Sequence, residues 1–184
     1  MSVQRSHLFN RLTGVHRPDC ALVADGTPVI PVPGPDDLAP LLGSDATARY
    51  AAACRPIFED LRRVVGQLAG LMILAQLTES SEVAGLAELE SCRRRWAEAD
   101  ERIKALAFPE ALAPHREQIV AAHAFSGLAL GTFSALRSRG DNEANLDLIS
   151  RQVRRAYAHL SAATAEKAGL AMVDLSHACC SCGR

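Results

Sequence analysis

Four side chains that bind soft metals are concentrated near the C-terminal end of the sequence: His177, Cys179, Cys180 and Cys182. Thiolates prefer soft ions such as copper(I), zinc and the iron of iron–sulfur clusters, and imidazole binds zinc or copper readily. The pattern therefore predicts a metal site at these four residues. The expected cofactor is a soft metal ion, zinc or copper, or an iron–sulfur cluster, and the sequence does not identify which.

The spacing of these donors argues against a compact site for one ion. Zinc fingers separate paired cysteines by two to four residues, so that a turn wraps the metal. Here Cys179 and Cys180 are adjacent and Cys182 follows closely, so closing all donors around one tetrahedral ion would strain the backbone. Three arrangements would avoid this strain, and all stay open: two chains share the site, the cysteines bridge a polynuclear copper(I) cluster, or a partner protein supplies further donors.

Other chemistry stays open for the same tail. Cys180 and Cys182 can form a strained, easily reduced disulfide. Terminal cysteines can also be S-acylated, or have no role. The separation of Cys179 from Cys182 is one that iron–sulfur sites use as well. Because clustered cysteines in a reducing cytosol are more often metal ligands or redox thiols than structural disulfides, metal binding is the leading interpretation.

Outside the tail, the sequence lacks the familiar catalytic and phosphate-binding motifs. It contains no Gly-x-Ser-x-Gly, P-loop or Gly-x-Gly-x-x-Gly pattern, and none of the Glu-x-x-His pairs of di-iron bundles. Cys54 and Cys92 are predicted to be packing residues. His123 and His159 are predicted to be partly exposed, hydrogen-bonded histidines beside helix seams. The interpretation favours a non-enzymatic role, with an enzyme that holds a ligand between its helices as a further option.

Composition indicates one globular domain. The chain has 184 residues, 48% of them apolar and only 4% aromatic, which favours packed helices over a β-sandwich. Its formal net charge of −1 provides no field that would attract nucleic acid. Residues 93–95 are consecutive arginines flanked by glutamates, as on an exposed face with ion pairs. Neither a transmembrane run nor a signal-peptide pattern occurs, so we expect no transmembrane segment and a cytoplasmic location.

Beyond residue 44 the pattern is helical. Apolar side chains recur at alternating steps of three and four residues, which is typical of the buried face of a helix. Segments of roughly 25 to 35 residues joined by short turns force antiparallel neighbours. The four predicted seams are Ile57, Leu61, Val64, Leu68, Leu71 and Ala75; Leu89, Cys92, Trp96, Ala99, Ile103 and Leu106; Ile119, Ala122, Ser126, Ala129, Phe133 and Leu136; and Leu146, Ile149, Val153, Ala156, Leu160, Ala163 and Leu170. The sequence predicts an all-α fold, an antiparallel up-down four-helix bundle over residues 45–176.

Residues 1–44 have a different character and form the first predicted segment. Most of the prolines lie there: Pro18, Pro28, Pro31, Pro33, Pro35 and Pro40. They predict an irregular Pro-rich arm, with a short hairpin around Asp25-Gly26, that wraps the bundle or binds a partner. The Cys-rich tail over residues 177–184 is the third segment.

Local signals predict where the helices begin and end. Ser44 or Asp45 caps the first helix, and Pro56 either starts its main part or kinks a longer helix. Pro109 suits the first turn of the third helix, and Gly140 suits its end. Asp141 or Asn142 then caps the fourth helix.

The third helix is rich in small residues, including Gly127 and Gly131, which predicts close packing inside the chain or at a dimer seam.

Together these patterns predict a metal-binding accessory protein whose bundle is a docking scaffold, acting as a homo-oligomer or with a larger protein partner. The alternative is a structural or adaptor subunit, with a tail that is redox-active, anchoring or incidental.

Overall fold

The computed structural model describes residues 32–77, 83, 85–136 and 142–172. The chain divides into two compact units, Pro33–Val173 and Met1–Val32 with Asp174–Arg184. The second unit falls almost wholly outside the described residues. In the first unit the described residues form five helices: α1 (Pro35–Leu42), α2 (Asp45–Leu77), α3 (Ala87–Ala105), α4 (Ala113–Ser134) and α5 (Glu143–Ala162). No strand occurs in these ranges, which confirms the predicted all-α class.

Within the same ranges, none of the helices is both long enough and apolar enough to cross a membrane.

The four predicted seams form the core of this helical body, the unit that spans Pro33–Val173. Nearly every seam residue is buried, and only Trp96 and Leu146 are partly exposed. One half of the core joins α1 and the first part of α2 to the end of α3, the start of α4 and the end of α5. The other half joins the last part of α2 to the start of α3, the end of α4 and the start of α5. Because α2 contacts each of the other four helices, it is the central element.

Part of the predicted N-terminal arm is helical. Pro35 lies in the first turn of α1, where its fixed φ suits a helix, and acidic side chains favour that end of the helix dipole. The N–H of Gly34 donates to Asp37 Oδ2 at 2.9 Å, and Gly43 ends the helix at φ 73°. Leu38 is buried, so α1 packs on the body. Residues 1–31, with the predicted hairpin, lie outside the described residues.

The predicted start of the first long helix is confirmed. Ser44 Oγ accepts a hydrogen bond from the N–H of Thr47 at 3.4 Å, and α2 begins at Asp45. Pro56 lies inside α2, so the longer of the two predicted helices forms. α2 has 33 residues, which corresponds to about 50 Å. The other three long helices have 19, 22 and 20 residues and are shorter than predicted.

Two predicted boundaries around α4 are wrong. Pro109 precedes a 3-10 turn at Glu110–Leu112, and Pro114 instead lies in the first turn of α4. Gly140 was expected to end this helix, but α4 ends at Ser134. The N–H groups of the next two residues donate to carbonyls three positions back, so the helix tightens and stops without a glycine. Asn142 is at the N-cap position of α5, as predicted.

The segment after α5 packs against α2. A 3-10 turn at Glu166–Ala168 leads to Leu170, which is buried. Arg55 of α2 donates to the carbonyl of Ala168 at 3.0 Å and to that of Pro33 at 2.9 Å. Arg62 donates to the carbonyl of Ala171 at 3.1 Å. Two arginines of α2 therefore hold both ends of the described helical body.

Candidate functional site

The predicted ligands His177, Cys179, Cys180 and Cys182 lie outside the described residues, and the metal site stays a prediction. Within the described ranges, no three His, Cys, Asp or Glu side chains are grouped so that they could hold a metal ion.

A surface groove of about 680 Å³ lies between the first half of α2 and the end of α3 with the segment that follows it. We call it the α2–α3 groove and define it by Arg49, Tyr50, Ala53, Arg102, Leu106 and Phe108. Its walls are mostly small or apolar, its polar side chains are the two arginines and the tyrosine, and no Asp or Glu lines it. Its volume lies in the range of sites that hold small molecules.

Tyr50 belongs to a hydrogen-bonded chain beside this groove. Its hydroxyl lies 2.7 Å from His115 Nδ1, and His115 Nε2 lies 3.0 Å from the carbonyl oxygen of Ala163. Since a carbonyl only accepts, Nε2 carries a proton, and in the tautomer protonated there alone Nδ1 accepts from the Tyr50 hydroxyl. Burial, followed by the nearby Cys54 thiol, raises the pKa of Tyr50 above its ordinary value. Tyr50 therefore stays a neutral hydroxyl that ties α2 to α4 and to the end of α5.

Cys54 and Cys92 are free, buried thiols, which confirms that they are packing residues. Burial raises the pKa of each to about 11. The Cys92 thiol also donates to the carbonyl of Val64 at 3.7 Å. Both stay protonated near neutral pH, and a thiol rather than a thiolate is a poor nucleophile and a poor metal ligand.

Trp96 and His123 join α3 to α4 through reciprocal contacts. Their rings stack with centroids 4.5 Å apart and planes inclined by 6°. Trp96 Nε1 donates to the carbonyl of His123 at 2.9 Å, and His123 Nε2 donates to the carbonyl of Trp96 at 3.2 Å. Burial lowers the pKa of His123, against smaller opposing effects of the Trp96 carbonyl and Asp100. Sequence reasoning missed this pair, although Gly127, one helical turn beyond His123, was a signal that a large side chain lies close.

The prediction of hydrogen-bonded histidines is confirmed for both residues, but their partners differ. His159 Nδ1 lies 2.8 Å from Gln118 Oε1, and its ring stacks on Phe125 at 5.4 Å. His123 is only 8% exposed, so it is buried rather than partly exposed as predicted.

Asp60 connects α2 to two arginines of α3. Its carboxylate accepts from Arg102 and lies 3.7 Å from Arg95 Nε, while its own side chain is 14% exposed. Arg95 also donates to Gln67 of α2 at 3.2 Å. The arginine run was predicted to form an exposed, ion-paired face, and this holds for Arg93, which pairs with Glu90 within α3 at 3.3 Å. Arg93 also donates to Ser134 Oγ of α4 at 2.7 Å, so Arg93 and Arg95 each link α3 to a neighbouring helix.

The last part of α2 carries an exposed surface without charge. We call it the outer α2 face and define it by Gly66, Gly70, Ile73 and Leu77, all of which are exposed. Residues 64–77 contain no charged side chain, and Leu77 is 78% exposed. A spacing of four, three and four residues places the four positions on one side of the helix.

The described residues thus offer a groove and an apolar helix face, which suit binding, and their buried thiols are not activated for catalysis. Comparison with known proteins found no matching family, no similar curated protein and no similar solved structure.

Proposed function

We propose that this chain is a metal-binding accessory protein, a helical scaffold whose tail captures or delivers a soft metal ion or cluster. The observation that carries the proposal is the concentration of four soft donors, His177, Cys179, Cys180 and Cys182, in one short stretch. Thiolates bind zinc, copper(I) and iron–sulfur clusters. In the reducing cytosol, where we place the protein, such thiolates stay available.

The proposed scaffold is an antiparallel up-down four-helix bundle with an irregular Pro-rich N-terminal arm. Support for the bundle comes from the core, where the end of each long helix packs with the start of the next. The chain is also held on the body shortly before the tail, because Leu170 is buried and Arg62 binds the carbonyl of Ala171. Because the residues just before the tail are held on the helical body, the tail begins at a defined position, which suits a tail that presents ligands to another molecule.

The proposed metal site is shared between two chains or completed by a partner. The adjacency of Cys179 and Cys180 supports sharing, since neighbouring cysteines do not easily wrap one ion. Binding requires deprotonated thiols, so occupancy should fall as the pH is lowered.

Elemental analysis and absorption spectroscopy of freshly purified protein test the metal proposal. Cys20 lies in the N-terminal arm, away from the tail in sequence, so Cys20→Ser is the control variant. We expect metal in the wild type and in Cys20→Ser, and none in the triple variant Cys179→Ser/Cys180→Ser/Cys182→Ser. A brown colour would identify an iron–sulfur cluster, and a colourless loaded protein would identify zinc or copper(I). Equal metal content in the wild type and the triple variant would contradict the proposal.

Sharing is tested by light scattering of the same samples with and without a chelator. We expect the molar mass to fall to that of one chain when the metal is removed, and the triple variant to have the lower mass throughout. An unchanged mass would show that the metal does not join chains.

A second candidate function is that of an adaptor whose helical body binds a larger partner, and the outer α2 face favours it. Ile73→Glu/Leu77→Glu should abolish recovery of a partner identified by cross-linking in cells. Leu128→Glu, at an exposed position of α4, is the matched control. Partner recovery that survives deletion of residues 177–184 supports the adaptor, and recovery that requires the tail supports the metal-binding protein.

A further inference from the structure

We propose that the α2–α3 groove binds a small amphipathic carboxylate, with its apolar body against the groove walls and its carboxylate at Arg49 and Arg102. None of the residues that line this site belongs to the tail or to the outer α2 face. The proposal is therefore independent of the metal-binding and adaptor functions.

The walls of the groove favour a ligand with an apolar body. Ala53 and Pro56 of α2 lie on one side, and Leu106 and Phe108 lie on the other. The Tyr50 hydroxyl is engaged by His115 at 2.7 Å. Since the hydroxyl already has this partner, a ligand does not need a polar group to satisfy Tyr50 in the interior of the groove.

The charged groups of the groove favour an anionic group on the ligand. Arg49 comes from α2 and Arg102 from α3, and the lining contains no carboxylate. Arg102 is bound to Asp60, but Asp60 is shared with Arg95, so these three side chains together carry a net positive charge. No carboxylate in the described part of the chain pairs with Arg49, and its side chain is exposed. Arg116 lies over the ring of Phe108, which lines the groove, at 4.7 Å and adds positive charge beside it.

A carboxylate on an apolar chain fits both the apolar walls of the groove and its two arginines. The planar guanidinium matches both carboxylate oxygens with two parallel hydrogen bonds. A strongly hydrated ion such as free phosphate would gain nothing from the apolar walls, whereas an alkyl or aryl chain gains free energy for each methylene that it buries. The 184-residue chain should therefore prefer an apolar acid to its neutral analogue.

Titration calorimetry with decanoate and with neutral decanamide tests this preference. We expect decanoate to bind the wild type at least tenfold more tightly than decanamide. Arg49→Gln should weaken decanoate binding about tenfold, as for the loss of one charge-assisted contact, and leave decanamide binding unchanged. Arg63→Gln, an exposed arginine of the same helix, is the matched control and should keep wild-type affinity.

Filling the groove separates it from other apolar surfaces. Ala53→Phe should abolish binding of both compounds, and Ala124→Phe, at an exposed position of α4, should not. Circular dichroism checks that each variant is folded, and because both alanines are exposed we expect both variants to fold. Equal affinity of the wild type for the acid and the amide, absence of binding, or unchanged binding by Ala53→Phe would each overturn the proposal.

Discussion

The contact between Trp96 and Gly127 sets how closely α3 and α4 approach each other. A Cβ at position 127 would lie 2.7 Å from Trp96 Cζ2, closer than such atoms pack. The indole is itself held by its stacking on His123 and by its bond to the His123 carbonyl. It therefore has little freedom to make room for a larger residue.

Replacing Gly127 by alanine should destabilise the protein. Overpacking a fixed contact costs about 1–3 kcal/mol, partly offset by a gain of about 1 kcal/mol in helix propensity. We expect a net loss of up to about 2 kcal/mol in the free energy of unfolding, measured with urea. Gly131→Ala in the same helix meets no atom within 4 Å and should be more stable by about 0.5–1 kcal/mol. The same sign of change in both variants would refute this account.

The buried imidazole of His123 should make stability depend on pH. Its folded pKa lies below the ordinary value of 6.5, chiefly because burial disfavours the charged ring. Between these two pKa values the unfolded chain binds a proton that the folded protein does not, so acid favours unfolding. The contribution of His123 is complete above pH 6.5 and is lost as the pH falls through the folded pKa.

Two measurements check this prediction. An NMR titration should place the midpoint of the His123 ring below 6.5. The free energy of unfolding should decrease from pH 7 to pH 5, and His123→Gln should have a smaller decrease. A midpoint at or above 6.5 would be incompatible with the proposed effect of burial.

At the scale of helices, Asp60 fixes α3 against α2. Its carboxylate is largely buried and serves both Arg95 and Arg102. Asp60→Asn should lower the free energy of unfolding by about 1–2 kcal/mol, because two guanidinium groups lose their charged partner. Thermal unfolding of Asp60→Asn, Arg102→Gln and the double variant gives the coupling between the two side chains.

Glu90→Gln serves as the control for Asp60→Asn. Its partner Arg93 belongs to the same helix and the pair is exposed, so we expect a loss of no more than about 0.5 kcal/mol. Equal losses in the two variants would show that Asp60 does not connect the helices more strongly than a surface pair.

Helix interiors were predictable, but only some helix ends were: α2 begins and α5 is capped where predicted, whereas the boundaries of α4 differ. Positions such as Leu61, Ile119 and Leu160 are buried as predicted, because a repeat of three and four residues marks one side of any helix. The end of α4 depends on local hydrogen bonds at Ser134, while Gly140 and Pro109 provided competing signals that the chain does not use. A short helix such as α1 has too few residues to show an apolar repeat. Its prolines therefore predict an irregular arm, although the segment is helical.

At the scale of the molecule, the segment after α5 completes the core. A chain that ends at Met172 should unfold cooperatively, since it keeps Leu170 and the carbonyls that bind Arg55 and Arg62. A chain that ends at Thr164 loses all three contacts and should be much less stable. Leu170→Ala isolates the packing contribution and should cost about 2–5 kcal/mol.

Urea unfolding of the two truncated chains and the point variant checks this prediction. Wild-type stability in the chain that ends at Thr164, or in Leu170→Ala, would show that this segment does not contribute to the core.

The sequence by itself determined the all-α class, the four apolar seams and the packing roles of Cys54 and Cys92, because periodicity and residue type act through local geometry and burial. It also identified the donors at His177, Cys179, Cys180 and Cys182, whose metal stays a prediction. Only the tertiary structure decided that Trp96 meets His123, that Asp60 holds two arginines, and that Arg49 and Arg102 line one groove. These pairs are far apart in sequence, and their contact depends on how the helices turn and cross, which a periodic pattern does not specify.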